Sequence, residues 1–204
     1  MFQVIRWTAR AVALSSCVLT MFVLLPDASL AQNVLTQHND LSRSGSNPNE
    51  TILTTSNVTE NTFGKLFTLP IDGFTYAQPL YYAGVSIDGG THNVLYVATA
   101  HDSVYAFDAN SGVEYWKVSL GTPVPSSVIG TQNILVEVGI IATPVIDPSS
   151  GTIYVTAKTY ESGVQIFRLH ALNISTGVEK FGGQWRFRQA PSTRRRRISG
   201  QPSR

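Results

Sequence analysis

Tyr105–Trp116 reads YAFDANSGVEYW, and further along Leu169–Phe181 reads LHALNISTGVEKF. Laying one phrase over the other sets Gly112 on Gly177, 65 residues apart. Ala77-Gln78-Pro79-Leu80 falls on Ala142-Thr143-Pro144-Val145 at the same spacing. Between these anchors VLYVATA (94–100) matches TIYVTAK (152–158) at a spacing of only 58. The first copy is thus seven residues longer before that segment, and the second seven longer after it. Length changes held to connections are what surface hairpin loops tolerate, because extra loop residues cost little closure entropy. The chain carries an internal repeat.

Each copy predicts four short strands. In the first they lie near 76–83, 93–100, 103–108 and 113–119; in the second near 140–146, 152–158 and 164–172, with a fourth beginning at 178. Val, Ile, Tyr and Thr fill these runs, and Gly, Asn, Asp, Ser and Pro separate them. Nothing between Gln32 and Gly183 keeps a 3.6-residue apolar period over a helical length. The class is all-β.

The repeated phrase itself is a turn. Asp108 or Asn173 at its head can bond the backbone two residues on, and Gly112 or Gly177 at its end supplies positive φ without steric cost. Asp108-x-Asn110-x-Gly112 also opens like a calcium loop, but Ser119 stands where the bidentate glutamate belongs, so no metal residue is assigned. Trp116 and Phe181, four residues past the glycines, are expected to bury against neighbours, since a four-stranded unit cannot cover both its faces alone.

Ala106 to Trp116 is similar to the A-x-D-x-x-T-G-x-x-x-W repeat of pyrroloquinoline-quinone-like (PQQ-like) β-propellers. Ala171 to Phe181 is a looser second copy, with Phe in place of Trp. Ser56-Asn57-Val58 followed by Phe67 resembles the segment that precedes the first blade of quinoprotein dehydrogenases. The resemblance spans about Gln37–Gly183. It implies a partial β-propeller: an N-terminal extension at 32–75, then about two four-stranded antiparallel blades at 76–183, truncated there. Closed propellers have about four to eight blades, so an open pair leaves an edge strand unpaired, and self-association through blade edges is expected.

The resemblance implies a fold more than an activity, because the family includes quinone-dependent dehydrogenases and outer-membrane assembly scaffolds alike. The expected function is an exported binding or structural module, its partner an unknown protein or small molecule. The alternative is the truncated front of a PQQ-dependent dehydrogenase, with PQQ and calcium as cofactors. That enzyme would need an adjacent-cysteine pair, which the chain after Ala31 lacks. No catalytic residue is assigned.

The two ends read differently from the middle. Arg6 and Arg10, the run AVALSSCVLTMFVLLP, then Ser29 and Ala31 form the charged, apolar and small-residue regions of a secretory signal at 1–31, cut after Ala31. The apolar run has about 15 residues, short of the roughly 20 that span a bilayer; an exported protein (secreted or periplasmic) without a stable membrane span is expected. Cys17, the only cysteine, sits inside that run rather than at its end, unlike a lipoprotein box. A cut at Ala31 therefore removes all thiol chemistry. Between Gln32 and Gly183 six basic residues face twelve acidic ones, the opposite of a nucleic-acid footprint. From Gln184 to Arg204 the chain turns basic, with four consecutive arginines and no acidic residue. It reads as a tail for anionic surfaces or, preferably, as a frameshifted end: a one-base shift turns the Gln184-Trp185 codons into Pro-Val, a strand that would continue Phe181-Gly182-Gly183.

Should a ligand bind, the rim shared by the second-to-third-strand turns and the connector is where to look: His101-Asp102, Gly121–Asn133 and Thr159–Gly163. His101 suits proton transfer near neutral pH, although a His-Asp pair in a turn is more often solvated or capping. His38, His92 and His170 show no ligand spacing. The acceptor triplets at Asn49, Asn57 and Asn173 arise readily by chance in an Asn- and Thr-rich chain and carry no weight.

Overall fold

The computed structural model describes residues 32–130, 136–181 and 185–187. The signal expected at 1–31, connector residues 131–133 and the arginine run lie outside the described residues. Strands β1 (Leu80–Ile87), β2 (Gly90–Ala98), β3 (Ser103–Asp108) and β4 (Glu114–Ser119) form an antiparallel sheet in chain order. The connector follows, with β5 (Val124–Pro125), the short helix α1 (Ser126–Ile129) and β6 (Glu137–Val138), β5 pairing with β6. Strands β7 (Val145–Asp147), β8 (Thr152–Glu161), β9 (Val164–Asn173) and β10 (Trp185–Arg186) then build a second sheet in the same order.

The two copies fold alike where the sequence repeats most closely. Asp108 Oδ1 accepts from the Asn110 and Ser111 amides, and Asn173 Oδ1 from those of Ser175 and Thr176. Gly112 N–H donates to the Asp108 carbonyl at 2.8 Å, and Gly177 N–H to that of Asn173 at 2.8 Å, both glycines at positive φ (77° and 70°). Past the turn Phe107 pairs with Glu114, and Leu172 bridges to Glu179, the same register 65 residues on.

Beyond that point the copies diverge. In the first sheet Val104 pairs with Val118; in the second Leu169 pairs with Trp185, two residues later than the repeat would set it. The outer strand begun near Val178 is thus resumed by Trp185–Arg186, inside the segment read from sequence as a basic tail. Aromatic content favours the pairing: Trp185 is a bulky side chain of the kind enriched in strands, and such a residue can join a sheet edge regardless of how the segment arose.

Strand bounds also shift. β1 runs on to Ile87 because Gly84 (φ 72°) sits in a bulge between Tyr82 and Val85 rather than in a turn. The turn comes at Asp88-Gly89, both at positive φ, the two-residue geometry that suits a twisted hairpin. Thr159–Gly163, expected as a turn, is mostly strand; Ser162-Gly163 alone form the two-residue loop. β7 keeps only Val145 and Ile146 of the expected 140–146 and adds Asp147.

One apolar core lies between the sheets. Leu80, Val94, Tyr96, Val104 and Ala106 meet Ile146, Ile153, Val155, Ala157 and Leu172. Fully burying one such aliphatic side chain contributes about 1.5–3 kcal/mol, so this seam dominates the stability of the pair. Strand alternation puts Val97, Tyr105 and Phe107 on the opposite face of the first sheet, where Leu69 of the N-terminal extension packs over them. The extension does a second job. Val34 bridges antiparallel to Tyr81 in β1, and the Leu35 carbonyl accepts from Ile146 N–H in β7 at 2.8 Å. One short segment clips the first strand of each sheet, β1 and β7.

Candidate functional site

Two places in the molecule gather polar or aromatic groups with a purpose beyond filling space. The first is the seam. Tyr96 Oη of β2 and Trp116 Nε1 of β4, on either side of β3 in the first sheet, both donate to the Ile174 carbonyl, at 3.0 and 3.1 Å. Ile174 belongs to the second sheet's repeated turn. The Trp116 ring then lies flush on Gly177: a Cβ there would sit 2.8 Å from Trp116 Cε3. Burial pushes the Tyr96 hydroxyl up, out of its ordinary titration range. Trp116 therefore meets the neighbour that the repeat calls for. The matching contact for the first sheet comes from the extension, where a Cβ on Gly112 would sit 3.0 Å from Phe67 Cδ2 and 3.2 Å from Leu69 Cδ2. Phe181, expected to bury as Trp116 does, is 66% exposed. Among the described residues no third sheet follows to cover it.

The second place is the rim. The turn between β2 and β3 bends at Asp102 (φ 57°), closed by Asp102 N–H to the Thr99 carbonyl and covered by Phe74, whose carbonyl accepts from Ala100 N–H. His101 points outward and holds Glu137 of the connector, Nδ1 to Oε1 at 2.7 Å. Asp102 points inward. It is fully buried, and neither carboxyl oxygen completes a hydrogen bond of normal geometry among the described residues. Burial raises its pKa to about 8; the Lys158 backbone N–H gives partial relief, and the like charge of Glu137 adds to the rise. Gly139 is packed so tightly against it that a Cβ would fall 2.4 Å from Asp102 Oδ1.

Further along the rim the connector meets the second sheet. Pro123 bridges to Thr159, Tyr160 N–H donates to the Thr122 carbonyl at 2.8 Å, and Gly121 abuts the Thr159 methyl. Glu161 accepts from Thr159 Oγ1 and takes both arms of Arg168, which hold its carboxyl at about 2. The three segments singled out from sequence are thus neighbours: His101-Asp102 joins the connector through Glu137 and Gly139, and the connector joins Thr159–Glu161 through Pro123 and Thr122.

Asp72 and Glu137 are site residues that sequence reasoning missed. Asp72 accepts from Thr99 Oγ1, Ser103 Oγ and Lys117 Nζ, at 3.0, 2.7 and 2.9 Å. Burial alone would raise its pKa, but Lys117 and the two hydroxyls outweigh it and hold the carboxyl low. Its partners lie 27 and 31 residues away or further, beyond the reach of any local pattern.

The remaining histidines are dispersed. His38 N–H donates to Gln78 Oε1. His92 lies 3.4 Å from Asp108 and edge-on to Tyr115. His170 is buried beside Glu179 at 2.8 Å, its Nε2 without a partner among the described residues. Asp108, the head of the calcium-like phrase, has Oδ1 taken by the turn amides and Ser111 Oγ, and Oδ2 by Tyr115 Oη at 2.7 Å. Tyr115 leads the groups that hold this carboxyl far below its usual range. Among the described residues no group of three or more His, Cys, Asp or Glu side chains is placed to hold a metal, and no helix is long and apolar enough to cross a membrane. No family model matches the chain, and no curated protein matches its sequence.

Proposed function

We propose that the chain is an exported PQQ-like propeller segment that works as a binding or structural module, its two sheets being consecutive blades. The observation that supports this most is the docking of Tyr96 and Trp116 on the Ile174 carbonyl and Gly177. It is a joint between repeated units, built from the residues the repeat itself supplies. The rim argues in the same direction. Its polar side chains are engaged with one another, His101 with Glu137, Lys117 with Asp72, Arg168 with Glu161, and the Asp102 carboxyl, without a partner among the described residues, is shut away from solvent. Charges so engaged shape a surface for recognition; a general acid or base needs a reachable proton.

The alternative, the front of a PQQ-dependent dehydrogenase, would draw its PQQ and calcium ligands from the described residues and others. The described residues offer it no donor cluster. Titrating the purified chain with PQQ and Ca²⁺, while following tryptophan fluorescence and dye-coupled alcohol oxidation, separates the two. The module reading expects neither saturable quenching at micromolar PQQ nor dye reduction, and either one would overturn it.

A further inference from the structure

The first sheet has both faces covered, whereas among the described residues no second layer packs over the outward face of the second. Because Ile153, Val155 and Ala157 of β8 point into the seam, Tyr154, Thr156 and Lys158 point the other way. Their cross-strand partners Val145, Leu169 and Phe167 share that outward face. Val145 is 39% and Phe167 38% exposed, and Tyr154 and Leu169 are half-buried. The residues are those of a joint. Tyr154 occupies the repeat position of Tyr96, and Phe181 that of Trp116. The seam shows what such a pair grips: a turn carbonyl with a bare glycine three residues on, Ile174 and Gly177.

The same grip exists once more on the molecule. In the first sheet's turn, Ala109 and Gly112 stand where Ile174 and Gly177 stand in the second. There the aromatic cover is Phe67 and Leu69, both only half-buried, on an extended strap without strand pairing. The strap is anchored at one end by Asp72, so residues 67–71 can lift away while Asp72 stays bound.

We propose that the bare face of the second sheet docks onto the first sheet of another copy of this chain, displacing the Phe67–Ile71 strap and seating Phe181 on Gly112 of that copy. The contact continues the internal seam, with the same residue positions on both sides. Its two surfaces differ, so the association is head-to-tail and does not close on a pair. It uses sheet faces, and not the strand-edge pairing expected from sequence. The inference stands on the observed sheet pair alone, and its failure leaves the proposed function untouched.

Sedimentation equilibrium of the purified chain from 1 to 100 µM tests it. The wild type should show a mass rising with concentration past that of a dimer. Phe181→Asp, at an exposed position, should hold the monomer mass throughout, an association weakened at least tenfold. The double variant Phe67→Ala/Leu69→Ala, which uncovers Gly112, should associate at concentrations about tenfold lower than wild type. Hydrogen exchange on the wild type supplies a readout independent of any variant: amides of Tyr154, Phe167 and Gly112 should gain protection as concentration rises. A monomeric wild type overturns the proposal. So does Phe181→Asp associating like the wild type, a double variant that associates no more readily, or protection confined to the Trp185–Arg186 edge.

Discussion

β3 and β9 occupy the same place in their sheets, yet all six residues of β3 are buried, whereas in β9 Ile166, His170, Ala171 and Leu172 are buried and Val164 and Phe167 are exposed. At the aligned positions 103–108 and 168–173 the two strands share the repeat and one identity, Ala106 with Ala171, and what lies on either side of them differs as well. The first sheet is enclosed by the second on one face and by the Phe67–Leu69 strap on the other. Among the described residues the second has company on one face only. Equivalent residues thus acquire different energetic weight: Trp116 lies in the seam, while Phe181 lies in water. Burial by neighbours, not side-chain type, sets what a position in a repeat contributes.

The sharpest way to break this comparison is to truncate both aromatics. Trp116→Ala should destabilise by about 3 kcal/mol, losing packing and leaving the Ile174 carbonyl with one donor, whereas Phe181→Ala should change stability by less than about 0.5 kcal/mol. Urea unfolding checks both, and equal losses would mean that the sheets are equivalent after all. The turn glycines come next. Gly177→Ala, strained by φ 70° and by the ring 2.8 Å away, should cost about 2 kcal/mol; Gly112→Ala, facing the half-buried Phe67, should cost about 1 kcal/mol.

A third test uses pH. The folded protein keeps the Asp102 proton up to about pH 8, while the unfolded chain releases it near the ordinary aspartate value of about 4. Between those limits the native state binds more protons, so stability falls as pH rises through that window. Asp102→Asn abolishes that dependence. It should stabilise by about 1–2 kcal/mol at pH 8 and leave stability nearly unchanged at pH 4, as thermal melts across the range would show. The second sheet places Phe167 at the equivalent position, 38% exposed, so Phe167→Asn should give no such pH slope. The last comparison, with the narrowest contrast between the sheets, is at the bulge residue Tyr115. Tyr115→Phe, losing the bond to Asp108, should cost about 1 kcal/mol. Lys180→Met at the matching position, which loses bonds to the Ser150 carbonyl and Thr152 Oγ1, should cost less, since an exposed amine trades them for water.

The turns, the strand order and the Trp116 contact were legible because each rests on a few adjacent residues: Asp108 with Gly112, Asn173 with Gly177, and an aromatic four places on. The hairpin at Asp88-Gly89 was missed because Gly84, five residues earlier, carries the same punctuation while forming a bulge. The rim was legible in outline only. His101-Asp102 and Thr159 could be placed at one end of their sheets by topology, but whether a side chain faces water or core depends on distant chain. Asp102 is buried by Gly139 and the edge of β8, and Asp72 is fixed by Thr99, Ser103 and Lys117. No local period encodes such meetings.

The clip at Val34 and Leu35 bears on how the chain comes together in time. Val34 can bridge Tyr81 once the first sheet exists, but the Leu35 carbonyl must wait for Ile146, more than a hundred residues on, before its half of the clip can form. Closure over such separations is slow. Closing the Leu35–Ile146 half of the clip therefore belongs to the end of folding rather than its start, and a chaperone that shields the first residues of the described region would be acting on one of the last pieces to set.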